Sequence, residues 1–155
     1  GTDTFVFEPG SAFACLDFGR GIWPYCTTWN WAAFSGYSGS DVVGLNMGAK
    51  WTDNTGMNEN GILLDGRLYK VFDDILFEYD DRDFMRPWSM RSDPGDAVRL
   101  RFTPFYEKAS ETNVLFIRSA AHQVFGHYSG TLQAGGRTIP IDGVLGWAEE
   151  HRARW

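Results

Sequence analysis

The sequence predicts an all-β protein whose antiparallel strands close into a barrel. Aromatic residues are unusually frequent, with seven Trp, six Tyr and twelve Phe among 155 residues, and such side chains suit a pleated, half-buried surface. Eighteen glycines would separate many short strands. Apolar and polar residues alternate over short runs, with no long helical pattern between them. This combination favours an antiparallel meander of eight or more strands over βαβ units.

The predicted strands follow one another at short spacing. They are Thr4–Glu8, Ala12–Phe18, Thr28–Ser35, Asp41–Gly48, Gly61–Leu64, Arg67–Phe72, Ile75–Tyr79, Trp88–Ser92, Ala97–Thr103, Asn113–Ala120, Gln123–Gln133, Thr138–Ile141 and the start of Val144–Trp155. Asp65-Gly66 and Gly135-Gly136 each lie between apolar runs, and such pairs favour two-residue hairpin turns. The acidic run Asp80–Asp83 is predicted to be a solvated turn, and residues 149–154 to form a helical last turn.

The length and charge limit the class of protein. A chain of 155 residues fits one domain, and a domain of this size buries roughly 70% of the surface that its unfolded chain exposes. The net charge is −6 and the arginines are scattered, so nucleic-acid binding is not expected. No apolar run is long enough to span a bilayer and no signal peptide is evident, which makes a cytoplasmic location the default expectation.

Two further features concern the cysteines and the N-terminus. Cys15 and Cys26 are too few to form a disulfide framework, and we expect reduced, partly buried thiols. The chain begins at Gly1 without an initiator methionine. We therefore expect a processed chain or a part of a longer one.

The segment Gly19–Gly36 (GRGIWPYCTTWNWAAFSG) is the strongest candidate for a functional face. It holds three tryptophans within nine residues, and Trp suits the wall of a ligand site because it joins a large apolar ring to one polar group. Strand alternation gives this segment two faces, of which only one can line a cavity. One face carries Trp29, Trp31 and Ala33, and the other carries Asn30, Ala32 and Phe34. The alternative is a tryptophan-rich core with a structural Asp17–Arg20 pair.

Polar residues near strand ends are further candidates to orient a ligand. Asn46 lies within a predicted strand, and Asn58, Glu59 and Asn60 precede the next one. For Asn58 we favour a turn role, because Asn side chains often bond to nearby backbone. Glu59 and Asn60 are open to either interpretation. His122 and Gln123 are candidates for polar groups in a cavity, or are satisfied hydrogen-bonding groups of the interior.

The sequence predicts neither a metal site nor a cofactor. His122 and His127 are five residues apart, so a strand places them on opposite faces and makes them poor partners for one metal ion. A Walker loop, a dinucleotide fingerprint and an HExxH motif are all missing from the sequence. Residues 149–151 (Glu-Glu-His) include a Glu–His pair of the kind that performs acid–base chemistry, although charged runs near a C-terminus are usually solvated.

The chain resembles a bacterial family known only as domain of unknown function 2804. The runs that carry the resemblance are GRGIWPYCTTWNWAAFSG, GLNMG, GMNENGILLDGRLYK, RPWSM, HQVFGHYSG and GWAEEHRARW. They extend from about Asp17 to Trp155. Members of that family are roughly twice this length, so the resemblance implies that this chain corresponds to their C-terminal half.

A weaker similarity links the chain to lipocalin-like carotenoid hydratases of the hydroxyneurosporene synthase type. It consists of an aromatic segment, a glycine-containing turn and an Asp-Gly hairpin followed by an arginine. The resemblance implies a calycin-like barrel, of the kind that tocopherol cyclases also use, with room for one small ligand. Those hydratases carry acidic residues in their tryptophan-bearing strand, where this chain has Pro24, Tyr25 and Cys26. Their chemistry therefore does not carry over directly.

The leading hypothesis is a barrel that binds an apolar or amphipathic small molecule in a tryptophan-lined cavity. Isomerisation, cyclisation or hydration of that molecule would use Asp17, Tyr25 or Glu59 as the proton donor. The binding candidates are Arg20, Trp23, Trp29, Trp31, Asn46, Asn60, His122 and Gln123. Two alternatives stay open. One is a non-catalytic carbohydrate-binding module, and the other is a structural half-barrel whose tryptophans contact a second copy or an N-terminal partner domain.

Overall fold

The computed structural model describes residues 2–155 and is all-β, as predicted. Nine strands are present among these residues. They are β1 (Cys26–Ser38), β2 (Asp41–Ala49), β3 (Gly61–Leu64), β4 (Arg67–Lys70), β5 (Asp74–Glu78), β6 (Trp88–Asp93), β7 (Val98–Val114), β8 (Ile117–Ala134) and β9 (Arg137–Arg154). Within residues 2–155, no helix has the length and apolar character needed to cross a membrane.

Turn chemistry defines two of the hairpins. Asp65 and Gly66 join β3 to β4 with φ values of 50° and 78°, and Gly135 and Gly136 join β8 to β9 with φ values of 60° and 74°. A positive φ at both central residues is the turn geometry that matches the twist of a hairpin. Both predicted hairpins are therefore confirmed.

All nine strands belong to one antiparallel sheet. Its order is β4-β3-β2-β1-β9-β8-β7-β6-β5, so the two edge strands, β4 and β5, are neighbours in the chain. β2 approaches β5 and β3 approaches β8 across the interior. The sheet therefore curls into a half-barrel, and its concave face encloses one continuous apolar core. This is the barrel-like architecture that the sequence predicts.

The strands β7, β8 and β9 are longer than predicted, with 17, 18 and 18 residues. In β7 the ladder shifts by one residue between Pro104 and Tyr106. This bulge accommodates a proline, which has no N–H to donate to the ladder. The predicted strand Asn113–Ala120 is wrong, because Leu115 and Phe116 form the turn between β7 and β8.

Three predictions for the ends of the chain are also wrong. Thr4–Glu8 and Ala12–Phe18 alternate as strands do, yet residues 2–25 contain no strand. The following strand, β1, is paired on both sides, with β2 and β9, so the chain before it has no adjacent edge to join. At the other end, residues 149–154 are not helical but complete β9, where Arg152 pairs with Thr28.

The concave face is too full to hold the β1 tryptophans. Ala32 and Phe34 belong to the buried core, and alternation therefore directs Trp29 and Trp31 to the outer face. Phe34 packs against Tyr128 with ring centroids 5.1 Å apart. The predicted tryptophan-lined barrel interior is therefore wrong for β1. The tryptophan-bearing face of this strand is the convex one.

Two glycines permit close packing in the middle of the core. Gly126 of β8 and Gly146 of β9 are paired across the ladder. A Cβ atom at Gly126 would lie 2.7 Å from the Phe102 ring, and one at Gly146 would lie 2.8 Å from the Tyr128 ring. The Phe102 and Tyr128 rings are themselves 4.6 Å apart. Glycine is needed at both positions because the rings occupy the space that a side chain would fill.

Candidate functional site

A groove on the outer face of the sheet collects five of the seven tryptophans. Its volume is about 600 Å³, which is within the range of small-molecule sites. Strands β1 and β2, the loop between β2 and β3, Trp155, residues 16–19 and Trp23 contribute to it. We call it the tryptophan groove. It is lined by Leu16, Asp17, Phe18, Gly19, Trp23, Thr27, Trp29, Trp31, Asn46, Trp51, Glu59 and Trp155.

Hydrogen bonds fix the tryptophan rings on the floor of the groove. Trp31 Nε1 donates to Asn46 Oδ1 at 2.8 Å, and Trp51 Nε1 donates to Glu59 Oε1 at 2.9 Å. Asn46 Nδ2 in turn donates to the Glu59 carbonyl at 3.0 Å and to Oε2 of Glu59 at 3.3 Å. Since the indole N–H groups have partners, the ring faces are left to contact a ligand.

Gly48 makes room for the Glu59 carboxylate. This glycine is on the same face of β2 as Asn46, and a Cβ atom there would overlap the Glu59 side chain. The backbone N–H of Gly48 donates to Asn60 Oδ1 at 2.8 Å. The loop before β3 is thereby held against β2, with the carboxylate of Glu59 over the outer face and Asn60 buried behind it.

The polar network continues along the outer face from the groove to β8 and β9. Trp29 Nε1 donates to Glu149 Oε1 at 3.2 Å, and Gln123 Nε2 donates to Glu149 Oε2 at 3.4 Å. The Trp29 and His151 rings lie 4.0 Å apart. His151 Nδ1 is 3.6 Å from Glu149 Oε1, and its Nε2 is 2.8 Å from Ser119 Oγ. Glu149 and His151 thus form the predicted Glu–His pair beside the groove.

The N-terminal segment lies across this face of the sheet. Trp23 contacts Trp51 edge to face, with ring centroids 5.6 Å apart. Tyr37 donates its hydroxyl to the Gly10 carbonyl at 2.7 Å. A second groove of about 610 Å³ lies under the same segment and is lined by Phe13, Tyr37 and Trp147 among others. Trp147 Nε1 is buried there, and no acceptor for it is found among residues 2–155.

The groove brings together six of the eleven residues that the sequence singled out. They are Asp17, Trp23, Trp29, Trp31, Asn46 and Glu59. Gln123 is linked to this set through Glu149. Arg20 is exposed and is not part of the lining. Tyr25, with 58% of its side chain exposed, is outside the lining too, and its carbonyl accepts a bond from the Trp155 backbone.

Two more of the predicted residues, Asn60 and His122, also lie outside the groove. Asn60 is buried and donates to the Asp73 carbonyl at 3.1 Å, so its role is structural. His122 stacks on Phe84 with ring centroids 4.2 Å apart, and its Nδ1 is 2.6 Å from Glu107 Oε1. His127 contacts Phe105 instead, which agrees with the opposite faces predicted for the two histidines.

A second polar cluster lies on the concave side, at the end of the core. Glu150 is 2% exposed and accepts a short hydrogen bond from the Tyr79 hydroxyl. Arg152 Nε is 2.6 Å from Glu150 Oε1, and Lys50 Nζ donates to the Tyr79 hydroxyl at 2.8 Å. Asn30 Nδ2 also donates to Tyr79, at 3.1 Å. Sequence reasoning missed Lys50, Tyr79 and Arg152, because only the fold brings them to Glu150.

The surroundings of this cluster shift the pKa values of its members. Burial alone would raise the pKa of the Glu150 carboxyl, but hydrogen bonds from Tyr79 and Arg152 and the charges of Arg152 and Lys50 together hold it below its usual value. Burial, and then the bond to Glu150, raise the pKa of Tyr79 well above its ordinary value. Burial also lowers the pKa of Lys50. The cluster therefore holds an ionised glutamate at neutral pH and serves to close the core.

Neither a metal-binding cluster nor a disulfide is present among the described residues 2–155. Among residues 2–155 there is no group of three His, Cys, Asp or Glu side chains arranged to hold a metal ion. Cys15 and Cys26 are free thiols, and both are exposed rather than partly buried.

Comparison with known proteins identifies the family. The model of one family, described as domain of unknown function (DUF2804), matches residues 1–155. The chain belongs to the DUF2804 family. No curated protein and no solved structure matches it.

Membership of DUF2804 confirms the family resemblance seen in the sequence. It adds no ligand or reaction, because the family is described without a function. The similarity to lipocalin-like hydratases stays a prediction. The groove itself is therefore the basis on which a function of this DUF2804 chain can be inferred.

Proposed function

We propose that the tryptophan groove binds an amphipathic small molecule that has an extended apolar body and a hydrogen-bond-donating polar end. The observation that supports this most directly is the composition of the groove. Five indoles surround a volume of about 600 Å³ on the outer face of the sheet. Sites for small molecules are typically mostly apolar, with a few fixed polar groups, and the groove has this composition.

The charged groups of the groove favour a particular polar end. Asp17 and Glu59 are its charged lining residues, and its described lining includes no Lys or Arg. Glu149 is adjacent to the groove, because it accepts a hydrogen bond from Trp29, which lines the groove. A ligand carboxylate would be repelled by these acidic groups, whereas a hydroxyl or an amine could donate to them. An amine would also be attracted to the indole faces.

The same geometry favours two of the three predicted proton donors. Asp17 and Glu59 face the groove, while Tyr25 does not line it. Glu59 is held in place by Trp51 and Asn46, so it is the better-ordered of the two carboxyl groups that face the groove. Isomerisation, cyclisation or hydration of the ligand, if catalysed here, would use Glu59, with Asp17 as a second carboxyl.

A pair of ligands that differ only at the polar end tests the proposal. We expect all-trans-retinol to quench the tryptophan fluorescence of the chain with a Kd of about 20 μM, from about 0.3 kcal/mol per non-hydrogen atom. Retinoic acid, which has the same polyene and a carboxylate, should bind at least tenfold more weakly. Equal binding of both would contradict the charge argument. Binding of a soluble glycan such as cellohexaose, without binding of retinol, would favour the carbohydrate alternative.

Matched variants locate the binding site. Replacing Trp31 by alanine should weaken retinol binding about tenfold or more, because the floor of the groove loses one ring. Glu59→Gln keeps an acceptor for Trp51 but removes the charge, so it should narrow the difference between retinol and retinoic acid. Phe72→Ala is the control, since Phe72 is 85% exposed and outside the groove. Retinol binding that is unaffected by Trp31→Ala would place the ligand elsewhere.

A further inference from the structure

The turn between β7 and β8 is apolar and exposed. Val114, Leu115, Phe116 and Ile117 follow one another there, with 58%, 85%, 74% and 48% of their side chains exposed. Two other hairpins of the chain turn at Asp65-Gly66 and Gly135-Gly136, and such residues are the usual choice at a solvated turn. We call residues 114–117 the apolar tip.

The backbone conformation of the apolar tip is also unfavourable. Leu115 has a φ of 52°, a conformation that glycine adopts freely and that is unfavourable for residues with a side chain. With its side chain 85% exposed, Leu115 recovers little of that cost by packing. An exposed leucine in this conformation is therefore unfavourable for the isolated fold.

Two arginines adjoin the apolar tip. Arg118 and Arg154 are directly paired across β8 and β9, and like charges opposite each other in a sheet are unfavourable. Arg154 Nε donates to the Phe116 carbonyl at 3.2 Å. Arg118 has one exposed partner, Glu111, at 3.3 Å, and such surface pairs contribute little. An anionic surface in contact with the tip would relieve the repulsion.

The apolar tip also lies at the same end of the sheet as the tryptophan groove. Trp155 follows Arg154 and lines the groove, and its backbone N–H donates to the Tyr25 carbonyl at 3.1 Å. Tyr25 and Trp155 are 58% and 46% exposed. A membrane–water interface favours this composition, in which Trp and Tyr lie beside arginine and apolar side chains lie beyond them.

We propose that the apolar tip inserts into the surface of an anionic lipid bilayer, with Arg118 and Arg154 contacting the lipid phosphates. A narrow turn of four residues fits insertion better than a protein contact, since a stable protein interface buries about 800 Å² on each partner. Docking there would place the groove beside the membrane from which an amphipathic ligand is taken. The docking itself does not depend on the groove binding a ligand.

Flotation of the full chain with lipid vesicles tests the proposal. We expect the protein to float with vesicles of phosphatidylcholine and phosphatidylserine at 7:3, and to bind pure phosphatidylcholine vesicles more weakly. The double variant Leu115→Gly, Phe116→Ser should lose at least tenfold in binding while folding at least as well, because glycine relieves the backbone cost. Arg118→Gln and Arg154→Gln should each reduce binding to anionic vesicles about fivefold, from about 1 kcal/mol per charge.

Controls distinguish insertion of the apolar tip from adsorption through any exposed aromatic side chain and from self-association. Phe72→Ser removes an equally exposed aromatic side chain away from the tip and should float like the unmodified chain. Retinol binding without vesicles should be unchanged in the tip variant, so failure of one proposal is distinguishable from failure of the other. Vesicle binding that is missing from the unmodified chain, or retained by the double variant, would overturn the proposal. So would a dimer that the double variant abolishes without any vesicle binding.

Discussion

Replacing Gly146 by alanine is expected to destabilise the folded protein by about 3 kcal/mol. The new Cβ atom would lie 2.5 Å from the Ala33 carbonyl oxygen, 2.7 Å from Phe34 Cβ and 2.8 Å from the Tyr128 ring. Two of these groups belong to β1 and cannot move without disturbing its ladder with β9. The change in the free energy of unfolding, measured by urea titration, checks this expectation.

A second strand glycine provides the control. A Cβ atom at Gly44 would find its nearest neighbours at 3.5 Å or more, which is ordinary contact. Gly44→Ala should therefore be neutral, or stabilising by about 0.5 kcal/mol because it restricts the unfolded chain. Equal free energies of unfolding for Gly146→Ala and Gly44→Ala would contradict the close packing of β1 and β9 against Tyr128.

Replacing Glu150 by glutamine is expected to destabilise the protein by about 2 kcal/mol at pH 7, since hydrogen bonds to a buried charged group are worth about that much. The variant loses the charge that pairs with Arg152 and Lys50. The pKa of Glu150 is lowered in the folded protein, so its contribution to stability is present above the unfolded pKa of about 4.3. It is lost as the pH falls through the folded value.

Thermal or urea unfolding between pH 7 and pH 3 measures this dependence. The difference between the unmodified chain and Glu150→Gln should be full at pH 7 and should shrink in the acid range. Glu111→Gln is a matched control, because Glu111 forms an exposed pair with Arg118 and should change stability by less than about 0.5 kcal/mol. A difference for Glu150→Gln that stayed constant from pH 7 to pH 3 would contradict the network around Glu150.

The parts of the fold that depend only on residues adjacent in the sequence were predictable. Asp65-Gly66 and Gly135-Gly136 specify hairpins by their own φ preferences, and both are present. Thr4–Glu8 and Ala12–Phe18 have the alternation of strands, but a strand also needs a free edge to pair with. Neither the pairing of both edges of β1 nor the bulge that carries Pro104 through β7 can be read from a local pattern.

The candidate site was predictable in part for the same reason. Alternation correctly separates Trp29 and Trp31 from Ala32 and Phe34, but both faces of β1 are apolar, so the pattern does not reveal which one is concave. Residues distant in the sequence decide which face is concave, because their aromatic rings fill the interior and glycines leave room for those rings. The bond between Trp51 and Glu59 follows from a short loop, whereas Tyr79 and Glu150 are 71 residues apart. No sequence spacing predicts that contact.

The indole N–H signals of the chain provide the most direct test of the tryptophan groove as a binding site. The seven tryptophans should give seven such signals in a ¹H–¹⁵N correlation spectrum, and titration with retinol should be followed at each. We predict that the signals of Trp23, Trp29, Trp31 and Trp51 shift together. The signal of Trp88, which is 1% exposed in the core and donates to the Phe84 carbonyl, should stay in place. A shift of Trp88 with the groove signals unchanged would place the ligand inside the barrel and contradict binding in the groove.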